Sequence, residues 1–167
     1  MSKYFILLTF LFSGPAMAYG WDDEDCGRKN AKEGKVFELN IGMSFHGSFG
    51  FKLCKKLDKE SLVIFSKNKS NELSNEPNKK TIELTKKQSE ILNNKCIAAL
   101  KYNTLDDSTG LDGSSWCIES QRGFTYTKAC FWAPGSNTEK RGLIGLHDLG
   151  THLWEISGLK AQGIRLY

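Results

Sequence analysis

The sequence predicts an α+β fold, an antiparallel β-sheet meander with two helices packed on one face. Three observations carry this. Strand-like runs crowd the first half of the chain: Val36–Ile41 and Ser48–Cys54 alternate apolar and other residues, and Ser61–Phe65 is a third short apolar run. Two later segments repeat apolar residues at helical spacing, Ile91, Leu92, Cys96, Ala99, Leu100 and then Leu143, Leu146, Leu149, Leu153, Ile156. Between those segments lies one strongly patterned stretch, residues 110–134, that reads as a hairpin. Strands followed by helices and a further hairpin are the order expected when helices cover one side of an antiparallel sheet.

The chain has 167 residues and opens with a secretory leader. Lys3 supplies a short positive start, Tyr4–Phe12 is apolar, and Ala16-Met17-Ala18 has the small-residue cleavage pattern. Residues 1–18 are therefore a cleaved signal peptide. The apolar run is too short for a membrane span, which needs about 20 residues, and the first cysteine, Cys26, stands too late for a lipid anchor. The mature chain, residues 19–167, is expected to be a single disulfide-bonded α+β domain exported to a bacterial periplasm, with no membrane insertion.

Each element follows from local chemistry. Residues 19–34 are polar and acidic and read as an N-terminal arm. Three strands succeed it, with Gly47 and Gly50 bracketing one turn or bulge and Asp58-Lys59 in the next. Residues 67–80, KNKSNELSNEPNKK, have few apolar side chains and one proline, so they read as an exposed lysine-rich loop. Thr81–Leu84 is a fourth strand. Thr85 and Gln88 have capping-box spacing, in which each side chain satisfies a backbone N–H at a helix start; that helix runs to about Tyr102-Asn103. Ser136 and Glu139 repeat the spacing ahead of the second helix, and Gly158 is its expected stop.

Cys26, Cys54, Cys96, Cys117 and Cys130 imply two disulfides and one odd cysteine in an oxidising compartment. Placing Cys117 opposite Cys130 centres the hairpin turn on Gly123-Phe124, with glycine first as a type II′ turn prefers. The same register sets Glu119 against Lys128 and puts Trp116–Phe131 and Ile118–Ala129 on the other face. One register gives a bridge, an ion pair and an apolar face together, so Cys117–Cys130 is predicted. The second bridge joins two of Cys26, Cys54 and Cys96, and the spacing does not choose the pair. The odd cysteine also leaves a disulfide-linked homodimer open.

Phe45-His46-Gly47, the run L-D-G-x-x-W-x-x-E from Leu111 to Glu119, Tyr126, and the W-x-P of Trp132 to Pro134 resemble a loose family of small, mostly uncharacterised bacterial proteins, many secreted or lipid-anchored. The likeness spans roughly residues 36–157. It implies a fold rather than an activity. The two hairpin cysteines depart from the pattern that the resemblance leads one to expect, as a disulfide added to an existing hairpin would.

Catalytic signatures are missing from the sequence. There is no G-x-S-x-G, P-loop or H-E-x-x-H pattern, and no C-x-x-C for zinc or redox chemistry. His147 and His152 are five apart, roughly 140° around a helix, which suits surface pairing of His152 with Asp148 or Glu155 better than a metal. No metal and no cofactor is expected. Carboxylates for a small hydrolase would have to come from Asp106, Asp107, Asp112 and Glu119, three of which share one polar loop. The net charge of +4 is mild and the lysines are scattered, which argues against a nucleic-acid face. The reading that remains is a binding protein, not an enzyme: a periplasmic inhibitor or immunity protein that occludes a toxic effector enzyme. Its candidate contacts are Asp106, Asp107 and Asp112, the arm residues Asp22, Asp23 and Asp25, and the lysines Lys67, Lys79 and Lys80. An envelope or cell-wall assembly component is the alternative, and a small hydrolase the third.

Overall fold

A computed structural model describes residues 23–27, 33–44, 47–67, 78–122, 125–163 and 166. The leader, Asp22, Phe45-His46 and the Gly123-Phe124 turn lie outside the described residues. Six antiparallel strands form one sheet: β1 (Glu33–Met43), β2 (Gly47–Lys56), β3 (Lys59–Lys67), β4 (Asn78–Glu83), β5 (Ser114–Arg122) and β6 (Thr125–Trp132). Helix α1 (Lys86–Ala99) stands between β4 and β5, and α2 (Ile144–Ile156) follows β6. The strand order is β4-β3-β2-β1-β5-β6. The meander thus holds from β1 to β4. Helix α1 then carries the chain across the sheet, and the β5–β6 hairpin joins the far side of β1.

Both helices cover one face. Alternation in β1 turns Phe37, Leu39, Ile41 and Met43 inward, where they meet Phe49, Phe51 and Leu53 of β2 and Trp116 and Ile118 of β5. Leu92, Cys96 and Ala99 of α1 and Leu146, Leu149, Leu153 and Trp154 of α2 close this core. The Trp154 ring stands edge-on to Phe49, with centroids 4.9 Å apart. Thr85 and Gln88 form the expected capping box.

The hairpin takes the predicted register, Cys117 opposite Cys130, Glu119 opposite Lys128 and Trp116 opposite Phe131, and Cys117 and Cys130 are bonded. The second bridge is Cys26–Cys54. Cys96 stays outside both and is wholly buried in the core, away from any surface where it would bridge two chains.

Several expectations are corrected. Ser136 and Glu139 do not cap a helix: residues 136–142 form turns, and α2 starts at Ile144 with Leu143 as an N-cap lacking a side-chain bond. The Arg141 side chain takes the Ala133 and Ser136 carbonyls, and Leu143 N–H reaches back to Thr138, so this segment folds on itself. Gly50 lies mid-strand rather than at a turn. The Phe65 ring rests on it, and a Cβ there would come 1.8 Å from Phe65 Cζ. The irregularity of the sheet falls instead in β1, between Lys35 and Phe37. The lysine-rich segment is strand at both ends, with Lys67 in β3 and Lys79 and Lys80 in β4. The described residues of the arm are also structured: Glu33 and Gly34 open β1, and Asp23–Gly27 is a closed loop with reciprocal backbone bonds between its end residues.

The face away from the helices is charged. Register sets Glu38 directly opposite Glu119, a like-charge pair that destabilises a sheet. The β1 bulge brings Lys35 onto this face, and its Nζ donates to both carboxylates at 2.7 Å. Burial works against the ammonium, but the hydrogen bonds to Glu119 and Glu38 outweigh it and raise its pKa above the usual 10.5. Because the folded-state pKa of Lys35 is raised, its protonation does not limit this stabilisation until the pH rises above about 10. Lys35→Met is expected to cost about 1–2 kcal/mol in urea unfolding at pH 7. The deficit should shrink in acid as Glu119 protonates, since burial raises its pKa but the hydrogen bond and charge of Lys35 outweigh that and hold it below the usual value; a deficit that does not change with pH would mean that packing, not charge, carries it.

Candidate functional site

The end of the domain where α1 stops and α2 starts carries a loop, residues 103–113, that is fixed at three points. Near its start, Asn103 Oδ1 accepts the Leu105 N–H at 3.0 Å. In its middle, Arg141 grips Asp106 with a two-pronged contact, Nε to Oδ1 at 2.9 Å and Nη2 to Oδ2 at 2.7 Å. Such planar forks fix direction as well as distance. The same guanidinium donates to the Trp132, Ala133 and Ser136 carbonyls, so one side chain ties the loop to the segment after β6. The Arg141 bonds, followed by Ser108 Oγ, hold the Asp106 carboxyl at about 2 although its partial burial pushes the other way. At the loop's end the Trp132 indole lies against Gly110 and Gly113. A Cβ on Gly110 would come 2.3 Å from its Nε1, and Gly113 has a φ of +140°. Ser44 N–H and Oγ both donate to the Gly113 carbonyl.

Between these anchors the loop offers its side chains to solvent. Leu105 is 85% exposed and Leu111 96%. Asp107 and Asp112 are exposed beside them. Ile144, half exposed, opens α2 at this end, and Gly142 packs against Asn103. Large aliphatic side chains held in water by a fixed backbone are features of contact surfaces when they gather in one place.

The structure thus separates the residues that sequence reasoning grouped. Of the acidic loop, Asp106 is an anchor with its side chain 5% exposed, while Asp107 and Asp112 face solvent. Asp23 and Asp25 are turned onto the sheet, ion-paired with Lys52. Lys79 joins Asp25 at 2.9 Å, and Lys80 is exposed on β4. Asp22 lies outside the described residues, as does the side chain of Lys67. Leu105 and Arg141 were not singled out from sequence, and Leu111 only as the start of the L-D-G run. Arg141 had a signal: it is one of four arginines against nineteen lysines, and arginine is the residue suited to a bidentate carboxylate clamp.

Elsewhere the surface converges less. His147 stacks on Trp116, with ring centroids 6.2 Å apart. His152 is half-buried, and burial followed by the Lys95 charge lowers its pKa. A groove of about 550 Å³ opens beneath the β2–β3 turn, lined by lysines and acids of both signs together with Leu57 and Leu84. Among the described residues no group of His, Cys, Asp or Glu is arranged to hold a metal ion, and no helix is long and apolar enough to cross a membrane. Fold and site together define a small disulfide-bonded α+β domain that displays one anchored loop. The chain matches no known family model and no curated protein sequence.

Proposed function

We propose that the chain is an exported, periplasmic inhibitor of the immunity type, which occludes an effector enzyme by inserting loop 103–113 into its cleft. The observation that supports this reading is the Arg141–Asp106 clamp, which holds a loop bearing two leucines more than four-fifths exposed. A loop already fixed in its bound shape loses little conformational entropy on docking. Leu105 and Leu111 serve as the apolar anchors, and Asp107 and Asp112 as the charged rim. Occlusion of this kind needs no catalytic group, cofactor or metal. Export rests on the leader at residues 1–18, and the resemblance to small secreted bacterial proteins points the same way.

The test is capture of partners by the oxidised mature chain from the producing organism's periplasmic and secreted fractions, followed by inhibition assays with any enzyme recovered. Leu105→Ala with Leu111→Ala is expected to weaken inhibition by at least about 30-fold, the effect of losing one or two contact hot spots. The melting temperature should stay unchanged because neither leucine is packed. Inhibition that survives both this variant and Asp107→Asn with Asp112→Asn would overturn the assignment. Recovery of cell-wall fragments alone would favour an envelope role, and substrate turnover by the purified chain would favour a hydrolase.

A further inference from the structure

On the opposite face of the sheet, residues 23–27 form an acidic strap. Cys26 fastens it to Cys54 of β2, and Asp23 Oδ1 accepts the Asp25 and Cys26 N–H groups, which sets its shape. From that position the two carboxylates reach a pair of lysines. Lys52 Nζ lies 2.7 Å from Asp25 Oδ2 and 3.3 Å from Asp23, and Lys79 Nζ lies 2.9 Å from Asp25 Oδ1. Between the lysines, on β3, sits Phe65, paired across the sheet with Lys79 on one side and Gly50 on the other. Lys52 Nζ stands 5.5 Å from the Phe65 ring centroid.

Lys52 has a cross-strand neighbour of opposite sign, Glu38, yet both oxygens of Glu38 are engaged, one by Lys35 at 2.7 Å and one by Asn40 at 2.8 Å. Among the described residues, the ion-pair partners of Lys52 and Lys79 belong to the strap. The sheet therefore builds a two-lysine platform with an aromatic floor, and the occupant is a short peptide with carboxylates two residues apart.

We infer that Lys52, Phe65 and Lys79 form a binding site for an acidic peptide segment of a partner protein, and that the Asp23–Gly27 strap covers this site in the resting protein. Tethering by the disulfide gives the strap a high effective concentration. A single carboxylate in solution does not displace it, whereas an acidic segment anchored by contacts elsewhere on a partner does. This surface is separate from loop 103–113 and stands whether or not that loop inhibits an enzyme.

The experiment frees the platform and supplies the occupant in trans. The receptor carries Asp23→Asn, Asp25→Asn, Cys26→Ala and Cys54→Ala. The probe is a fluorescein-labelled peptide of residues 20–28 with serine in place of cysteine. Fluorescence polarisation is expected to show saturable binding at least tenfold tighter than to the wild-type chain. Lys52→Met with Lys79→Met in the receptor should abolish it. A charge-matched control with Asp107→Asn, Asp112→Asn and the same two cysteine changes keeps the strap carboxylates and should bind more weakly than the receptor. If the receptor does not fold, Asp23→Asn with Asp25→Asn on the intact disulfide is compared in the same way with Asp107→Asn and Asp112→Asn. Equal binding by strap and control variants, binding that persists without the two lysines, or no saturable binding overturns the inference.

Discussion

Replacing Arg141 with methionine is expected to lower the stability of the domain by about 3 kcal/mol, the cost of stripping one partner from a well-buried ion pair. For a domain of this size that is a fall of roughly 6–12 °C in melting temperature. The methionine keeps most of the side chain's volume, so the loss isolates the polar contacts: the fork to Asp106 and the bonds to the Trp132, Ala133 and Ser136 carbonyls. Asp106→Asn should cost about half as much, since Arg141 keeps its three carbonyl acceptors and one oxygen to bond. The pair also sets an acid limb. The Asp106 pKa is lowered from 3.8 to about 2 in the folded protein, so its contribution is present above about pH 4 and is lost as the pH falls through about 2. Wild type should therefore lose stability more steeply than Asp106→Asn between those values. Because the clamp fixes loop 103–113, Arg141→Met should also weaken any partner contact made by Leu105 and Leu111 without touching either residue. Equal melting temperatures for wild type and Arg141→Met would show that the loop is held by its glycine contacts with Trp132 instead.

Gly150→Ala is the second large effect, and here two principles oppose each other. Gly150 lies inside α2, where alanine favours the helix by about 1 kcal/mol. Its missing Cβ, however, is where Trp116 lies: a methyl there would stand 2.0 Å from Cζ3 and 2.5 Å from Cη2. Trp116 has nowhere to go. It is 1% exposed, its Nε1 donates to the buried Ser114 Oγ at 2.9 Å, and His147 stacks on its face. Overpacking of this kind costs 1–3 kcal/mol and more when the neighbour cannot move, so a net loss of about 2 kcal/mol is expected, with a changed tryptophan signal in near-ultraviolet circular dichroism. Trp116→Phe made together with Gly150→Ala should cost less than the sum of the two single changes, because the smaller ring makes room for the methyl. A more stable Gly150→Ala protein would show that α2 can lift from the sheet at little cost. Gly50→Ala offers the contrast, since the Phe65 ring above it is only half-buried on the outer face and can swing aside.

The two glycines show where local reading stops. Gly50 and Gly150 look alike in the sequence, each a lone glycine next to a large apolar residue, Phe49 or Leu149. What distinguishes them is the ring lying on each, and Phe65 and Trp116 are brought there by strand register and helix docking. The same holds for Asp106, which in the chain is one of three similar loop carboxylates. Only the approach of Arg141, thirty-five residues away, makes it an anchor while Asp107 and Asp112 stay in water.

The sequence by itself determined what depends on near neighbours: the alternation that makes strands, the Thr85–Gln88 cap, the apolar stripes of both helices, and the hairpin register in which Cys117 meets Cys130 with Glu119 beside Lys128. Each of these is settled by period or by a short closed loop. The tertiary structure alone decided that β5 lies against β1, that Cys26 rather than Cys96 bonds Cys54, that Lys35 separates Glu38 from Glu119, and that Ser136 and Glu139 belong to turns instead of a helix cap. These depend on contacts between distant segments, where many pairings satisfy the same local pattern. The choice among them falls to whichever one buries the apolar faces of both helices while leaving the buried side-chain polar atoms of the described residues with partners.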